Sequence, residues 1–195
     1  MKIAATTDVR KHILDTAKPI ISGKGFVAVG LNEILLASSV PKGSFYHYFK
    51  SKEAFGEALL ETYFAEYSIQ LEAVLTQPGQ SAAQRLMRYW QYWIDIEADS
   101  DPKGKCLAVK LAAEVSDLSE GMRKVLEQGT DRVIARIAQI LEEGISDGSL
   151  LPWLKAVKWR LICISCGWEQ VCAPKLPVTV NPSSQPWLPP SACLG

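Results

Sequence analysis

Two short helical segments joined by a tight turn constrain the fold of this chain more than any other feature. Residues 31–38 (LNEILLAS) have the apolar spacing of a short helix. The side chains predicted to face its inner side are Leu31, Ile34, Leu35 and Ala37. Residues 38–41 (SSVP) are too few and too polar to form anything but a turn, and Pro41 suits the start of a following helix, where its missing N–H is not needed. The second helix is predicted over 42–49, and the pair has the pattern of a helix-turn-helix.

The second of these helices carries a run of ring-bearing side chains, FYHYF at residues 45–49. Consecutive rings cannot all face one side of a helix, so Phe45 and Phe49, four residues apart, are predicted to face the core. The side chains predicted to face outward are Ser44, Tyr46, His47 and Tyr48. Hydroxyl and imidazole groups in such positions can reach phosphates and base edges of a nucleic acid. The alternative interpretation is that the aromatic side chains only build a core.

Longer helices are predicted on both sides of this pair. Apolar residues with a 3.6-residue period predict a helix over 8–22, which the glycines after it should end. Ser51 is placed to cap a long helix that starts at Lys52 and ends before Pro78. Further helices are predicted over 81–97, 106–115 and 119–144. The sequence therefore predicts an all-α fold, with an N-terminal three-helix module and a C-terminal helical bundle.

Basic side chains are concentrated at the N-terminal end of the chain. Residues 1–52 hold eight Lys or Arg and three Asp or Glu, although the whole chain has 21 of each class. A basic module on an acidic body favours contact with a polyanion through the first third of the chain only. No apolar run approaches the roughly 18 residues of a membrane span, and the N-terminus does not resemble a signal peptide, so we expect a cytoplasmic protein.

The sequence offers little for catalysis. His12 and His47 are its two histidines, and we find no phosphate-binding loop, no Ser-His-Asp arrangement and no convincing metal-ligand spacing. We therefore expect a protein that is not an enzyme and that needs neither a cofactor nor a metal.

Residues 25–64, GFVAVGLNEILLASSVPKGSFYHYFKSKEAFGEALLETYF, resemble the DNA-binding domain of TetR/AcrR-family repressors, and residues 42–55 carry the most specific part of the resemblance. The resemblance implies a homodimer on double-stranded operator DNA that a small-molecule effector releases. It implies DNA contacts from Lys42, Gly43, Ser44, Tyr46, His47, Tyr48 and Lys52. It divides the chain into a DNA-binding domain (1–52) and a helical effector-binding and dimerisation domain (53–151). Gly30 stands where the family often has a Thr or Ser that caps the next helix and touches a phosphate, so a glycine there lacks that side-chain contact.

Cys106 is a candidate sensor residue at the start of a predicted helix. The helix dipole and nearby ammonium groups favour the thiolate form of a cysteine, which is the reactive form. The lysines near it in the sequence are Lys103, Lys105 and Lys110. Residues 104–123 (GKCLAVKLAAEVSDLSEGMR) also resemble electrophile-sensing members of the same family, which implies that quinones, aldehydes or hypochlorite-type oxidants modify Cys106 and shift the helices. The alternative is a small buried residue with no reactivity.

Residues 152–195 differ in composition from the rest of the chain. They contain four of the five cysteines, four of the six tryptophans and a run of prolines, and they lack helical periodicity. The family instead ends in two amphipathic helices that complete a dimer interface. When codons compatible with residues 163–178 are regrouped in another frame, they can encode YQLWLGASLRAKITR, which is typical of the family's C-terminal helices.

We therefore hypothesise a frameshift near residues 150–158, which would damage the dimer interface. The corresponding alternative function is an interaction protein whose DNA binding is impaired. A rival interpretation of the tail is a zinc site, although the second half of such a site lacks a Cys-x-x-Cys pair. Its candidate ligands are Cys163, Cys166, Cys172 and Cys193.

Overall fold

The computed structural model describes residues 2–98, 106–115 and 119–152, and over these residues the chain forms seven helices and no strand. The helices are α1 (Lys2–Lys24), α2 (Leu31–Ser38), α3 (Lys42–Tyr48), α4 (Lys52–Leu75), α5 (Ala82–Ala98), α6 (Leu107–Val115) and α7 (Glu120–Ser146). The all-α prediction is confirmed for this part of the chain. The frameshift hypothesis and the rival zinc-site interpretation concern the tail after residue 152, which lies outside the described residues.

Two of the long helices begin at serine caps. The Ser51 hydroxyl accepts a hydrogen bond from the Ala54 N–H at the start of α4, as predicted from the sequence. The Ser119 hydroxyl accepts from the Met122 N–H at the start of α7 in the same way. Each cap satisfies an N–H that has no partner within its own helix, so these two starts are fixed by local sequence.

Helix α1 is longer than the predicted span of 8–22. It begins at Lys2, because the Ile and Ala residues that follow continue the helix, and it contains Pro19 without ending there. It ends at Lys24, and the next residue, Gly25, has φ +92° and donates its N–H to the Ile21 carbonyl at 2.7 Å. A left-handed residue after the last turn is a common helix terminator, and glycine adopts it without steric cost.

One hydrophobic core joins the N-terminal module to the body. Buried side chains from α1, α2 and α3 belong to the same cluster as those of α4 and α7. Helices α4 and α7 pack closely at Gly129, where an added Cβ would lie 2.3 Å from the Phe64 ring. The long α4–α7 pair therefore forms the platform on which the N-terminal helices α1, α2 and α3 are positioned.

No helix in the described ranges is both long and apolar enough to cross a membrane.

Candidate functional site

The inner face of α3 is held by a cluster of three phenylalanines. Phe45, Phe49 and Phe55 are at most 2% exposed. Their ring centroids lie 5.2–5.5 Å apart, with Phe49 and Phe55 edge to face. Aromatic pairs at such separations and angles add to the free energy of area burial. The predicted inward orientation of Phe45 and Phe49 is confirmed, and the partner ring comes from α4.

The outer face of α3 presents polar and aromatic side chains to solvent. Lys42, Gly43, Tyr46 and His47 are exposed, and Tyr46 retains 45% of its accessible surface. Ser44 and Tyr48 are half-buried, and Tyr48 packs against the core while its ring meets that of His47 edge to face at 5.0 Å. The Tyr48 side chain is therefore less exposed than predicted. Residue 48 is three positions after Phe45, so it lies next to the buried face of the helix.

The turn before α3 is tight. Ser39 has φ +54°, and the N–H groups of Ser39 and Val40 donate to the last carbonyls of α2. The prediction for the end of α2 was wrong in one respect: Ala37 is exposed and Ser38 is buried. Ser38 tolerates burial because its hydroxyl donates to the Ile34 carbonyl at 2.7 Å.

Gly30 begins α2 without a side-chain cap. Its backbone is extended, at φ −76° and ψ 151°, and no side-chain hydrogen bond closes the first turn. A Cβ at this position would meet nothing within 4 Å. The missing cap inferred from the sequence is confirmed, and the surrounding space would accept a larger residue.

The start of α4 lies close behind α3 and carries Lys52. Its ammonium donates to the Phe26 carbonyl at 2.8 Å and lies 4.7 Å from the centroid of the Phe26 ring. An ammonium has three donors, so this bond leaves capacity for a further acceptor such as a phosphate. Nearby, the backbone N–H of Glu53, and then the Ser51 hydroxyl and the Lys52 charge, hold the pKa of the Glu53 carboxyl below its ordinary value.

Cys106 lies some distance from this surface, at the junction of α4 and α6. It immediately precedes α6, its carbonyl accepts the Lys110 N–H at 3.1 Å, and its side chain is half-buried against the core. The sulfur lies 3.1 Å from the Tyr63 hydroxyl. The thiol is therefore partly accessible and has a polar partner.

Two contacts near Cys106 were not predicted: the contact between the Tyr63 hydroxyl and the cysteine sulfur, and the contact between Lys18 and the Tyr63 ring. The Lys18 ammonium lies 5.6 Å from the centroid of the Tyr63 ring and pairs with Glu66 at 2.7 Å, so α1 contributes a cation next to the cysteine's partner. Lys110, one of the lysines considered from the sequence, has an exposed side chain. Lys103 and Lys105 lie outside the described residues. Nothing in the local sequence indicates that Tyr63 meets a residue 43 positions away.

Among the described residues, no group of three His, Cys, Asp or Glu side chains is arranged to hold a metal ion.

Comparison with known proteins connects the chain to a bacterial family. Residues 13–59 match the N-terminal domain of bacterial regulatory proteins of the tetR family, and residues 82–164 match a tetracyclin repressor-like C-terminal domain. The chain is 43% identical to the HTH-type transcriptional repressor NemR of Escherichia coli K12 over 137 residues, which cover 70% of this chain and 69% of that repressor. It is 30% identical to the HTH-type transcriptional repressor DhaR of Mycobacterium sp. GP1 over 146 residues, covering 75% and 72% of the two chains.

Solved structures agree with these sequence relationships. The reduced form of E. coli NemR superposes with a TM-score of 0.75 at 36% identity, covering 86% of this chain and 88% of that one. A putative TetR/AcrR-family regulator superposes with a TM-score of 0.70 at 41% identity, covering 87% and 90%. With its exposed α3 and its helical body, this chain belongs to the TetR family of bacterial transcriptional regulators, which are DNA-binding proteins and not enzymes.

Proposed function

We propose that this protein is a sequence-specific transcriptional repressor that binds operator DNA through α3 and leaves it when Cys106 is modified. Residues 1–52 form the DNA-binding domain and residues 53–151 the effector-binding and dimerisation domain. The observation that carries the proposal is the division of α3 into a buried phenylalanine face and an exposed face with Lys42, Tyr46 and His47. A helix fixed from behind and polar in front can enter a major groove without rearranging the core.

The residues of this surface differ in what they offer to DNA. Tyr46 and His47 are exposed and can reach base edges, whereas Lys42 and Lys52 supply charge for phosphates. Gly43 has open space around the position of a Cβ, so the fold itself does not require glycine there. That freedom suits a close approach of a DNA backbone. Ser44 and Tyr48 flank the exposed face and complete the proposed contact surface.

A second copy of the chain is part of the proposal. Helix α3 has seven residues and spans about 10 Å, so one copy reads only a few base pairs. Two copies related by a two-fold axis would place two such helices one turn of DNA apart, which raises affinity and specificity together. We propose that the working form is a cytoplasmic homodimer.

The DNA proposal is tested by fluorescence anisotropy with duplexes from the region flanking the gene, over a range of salt concentrations. His47→Ala should relax base preference, whereas Lys52→Ala should weaken binding to all sequences and reduce the salt slope by about one unit. Lys124→Ala, an exposed lysine on α7, is the matched control and should bind as the unaltered protein does. Failure of the unaltered protein to bind any flanking duplex at low salt would overturn the DNA proposal and favour an interaction protein with impaired DNA binding.

The release signal is proposed to be an electrophile. The Cys106 thiolate adds to the electron-poor carbon of a quinone, forming a C–S bond, and the quinone oxygen takes up a proton to leave a hydroquinone adduct after tautomerisation. An aryl group added to the half-buried sulfur would compete for space with the Tyr63 hydroxyl, which lies 3.1 Å away. Modification should therefore separate α6 from α4 at this junction.

The signal is tested by treating the protein–DNA complex with a quinone. Cys106→Ser should stay bound, and a variant in which Cys163, Cys166, Cys172 and Cys193 are replaced by serine should be released as the unaltered protein is. Normal release of Cys106→Ser would exclude Cys106 as the sensor.

The frameshift proposal for the tail is tested separately by sequencing the gene, and a set of codons that cannot be regrouped into the family's C-terminal helices would refute it.

A further inference from the structure

One peptide group in the loop between α1 and α2 is held from both sides by charged side chains. The carbonyl of Phe26 accepts a hydrogen bond from the Lys52 ammonium at 2.8 Å. The N–H of the next residue, Val27, donates to the Glu114 carboxylate at 2.9 Å. Both groups belong to the same peptide bond, so a cation on α4 and an anion on α6 hold one rigid unit of the DNA-binding module.

The local packing fits this arrangement closely. Gly25 has φ +92°, and a Cβ on it would lie 2.2 Å from a carboxylate oxygen of Glu114. Any larger residue at this position would therefore be strained and would displace the carboxylate. On the other side, the Phe26 side chain is buried and the Lys52 ammonium lies over its ring.

Helix α6 connects this peptide to Cys106. The helix begins immediately after Cys106 and ends one residue after Glu114. Glu114 is eight positions after Cys106, a rise of about 12 Å along the helix axis. Helices move largely as rigid units, and α6 packs on α1, α4 and α7. A shift of α6 at Cys106 is consequently delivered to the Val27 N–H.

We propose that Glu114 is a positioning residue that couples Cys106 to DNA binding through the Phe26–Val27 peptide, an inference that rests on the proposed function. With the bond intact, the Phe26 carbonyl points at Lys52 and holds its ammonium in place for a phosphate. When α6 shifts, the Val27 N–H loses its acceptor and the peptide plane is free to turn. The Phe26 carbonyl then leaves Lys52, which loses its fixed position.

The test measures DNA affinity before and after quinone treatment for three variants. Glu114→Ala should weaken DNA binding of the untreated protein about tenfold, and quinone should then change its affinity by less than about twofold, because both changes break the same contact. Glu114→Gln keeps a neutral acceptor, so its DNA affinity should lie between that of Glu114→Ala and that of the unaltered protein. The matched control is Glu33→Gln, which removes the Lys24–Glu33 ion pair in the same module without touching this peptide. Quinone treatment should lower its DNA affinity as much as it lowers that of the unaltered protein.

An NMR measurement of the Val27 amide separates coupling from general loosening. Quinone modification of Cys106 should shift the Val27 amide proton in the unaltered protein and leave it unchanged in Glu114→Ala, with thermal unfolding showing that both are folded. If the unaltered protein does not bind or release DNA, the proposed function fails, whereas the amide shift still tests the coupling. Release of Glu114→Ala by the same factor as the unaltered protein, or an unshifted Val27 amide after modification, would overturn the inference.

Discussion

Helices α3 and α7 differ in the fraction of their residues that the core buries. Of the seven residues of α3, only Phe45 is buried, whereas eleven of the 27 residues of α7 are. A seven-residue helix is not stable on its own, so α3 depends on the phenylalanines behind it. Helix α7 instead contributes much of the interface that supports the rest of the molecule. The helix proposed to contact DNA is thus among the least self-sufficient, and its position is supplied by the body.

Truncating the anchor of α3 should have the largest effect. Phe45→Ala should lower the free energy of unfolding by about 3–5 kcal/mol, because a fully buried ring is removed from a packed cluster. Tyr46→Ala, one residue away but exposed, should change it by less than about 0.5 kcal/mol while weakening DNA binding. Urea denaturation and anisotropy measure the two properties. Equal losses of stability in the two variants would contradict the division between the two faces.

The α4–α7 interface should be sensitive to a single added methyl group. Gly129→Ala places a Cβ against the Phe64 ring and should destabilise the protein by about 1–3 kcal/mol. Gly23→Ala is the matched control, since its Cβ meets nothing within 4 Å inside α1, and it should instead stabilise by about 0.5–1 kcal/mol. Thermal unfolding of the pair gives the comparison. If Gly129→Ala leaves the thermal stability unchanged, the α4–α7 interface can move to accept the methyl group. Such a result would argue against the interface as a rigid platform.

The stabilising contacts at the C-terminal end of α7, around Asp147, should depend on pH. The Ala82 N–H, and then the Ser149 hydroxyl and N–H and the Arg85 charge, hold the pKa of Asp147 below its ordinary value. A carboxyl whose folded-state pKa is depressed contributes stability above its unfolded pKa, and that contribution is lost as the pH falls through the folded-state pKa. The difference in Tm between the unaltered protein and Asp147→Asn should therefore be largest near neutral pH and shrink below about pH 4. A difference independent of pH would show that these hydrogen bonds do not favour the carboxylate.

A cap added to α2 should have the smallest effect. Gly30→Ser supplies the missing side-chain acceptor and should raise the free energy of unfolding by a few tenths of a kcal/mol, up to about 0.5 kcal/mol. The serine hydroxyl also becomes available to a phosphate, so DNA affinity should rise slightly. Chemical denaturation and anisotropy measure both. A loss of stability would show that a side chain at residue 30 strains the backbone there and does not cap α2.

Local sequence determined the helices and much of the orientation of their side chains. The caps at Ser51 and Ser119 and the inward faces of Phe45 and Phe49 follow from helix pitch and from N–H groups that need acceptors, which are properties of neighbouring residues. The family resemblance of residues 25–64 added the candidate DNA contacts. These features could be predicted without coordinates because the interactions that decide them lie within about one turn of helix.

Tertiary structure alone decided which distant groups meet. Tyr63 reaches Cys106 across 43 positions, and Glu114 reaches Val27 across 87. The burial of Ser38 in place of Ala37, and the partial burial of Tyr48, also follow from how α2 and α3 are set against their neighbours. Periodicity shows which side of a helix is apolar, but the rotation of the helix against its neighbours and the partner that each polar group finds depend on the packing of all the helices together.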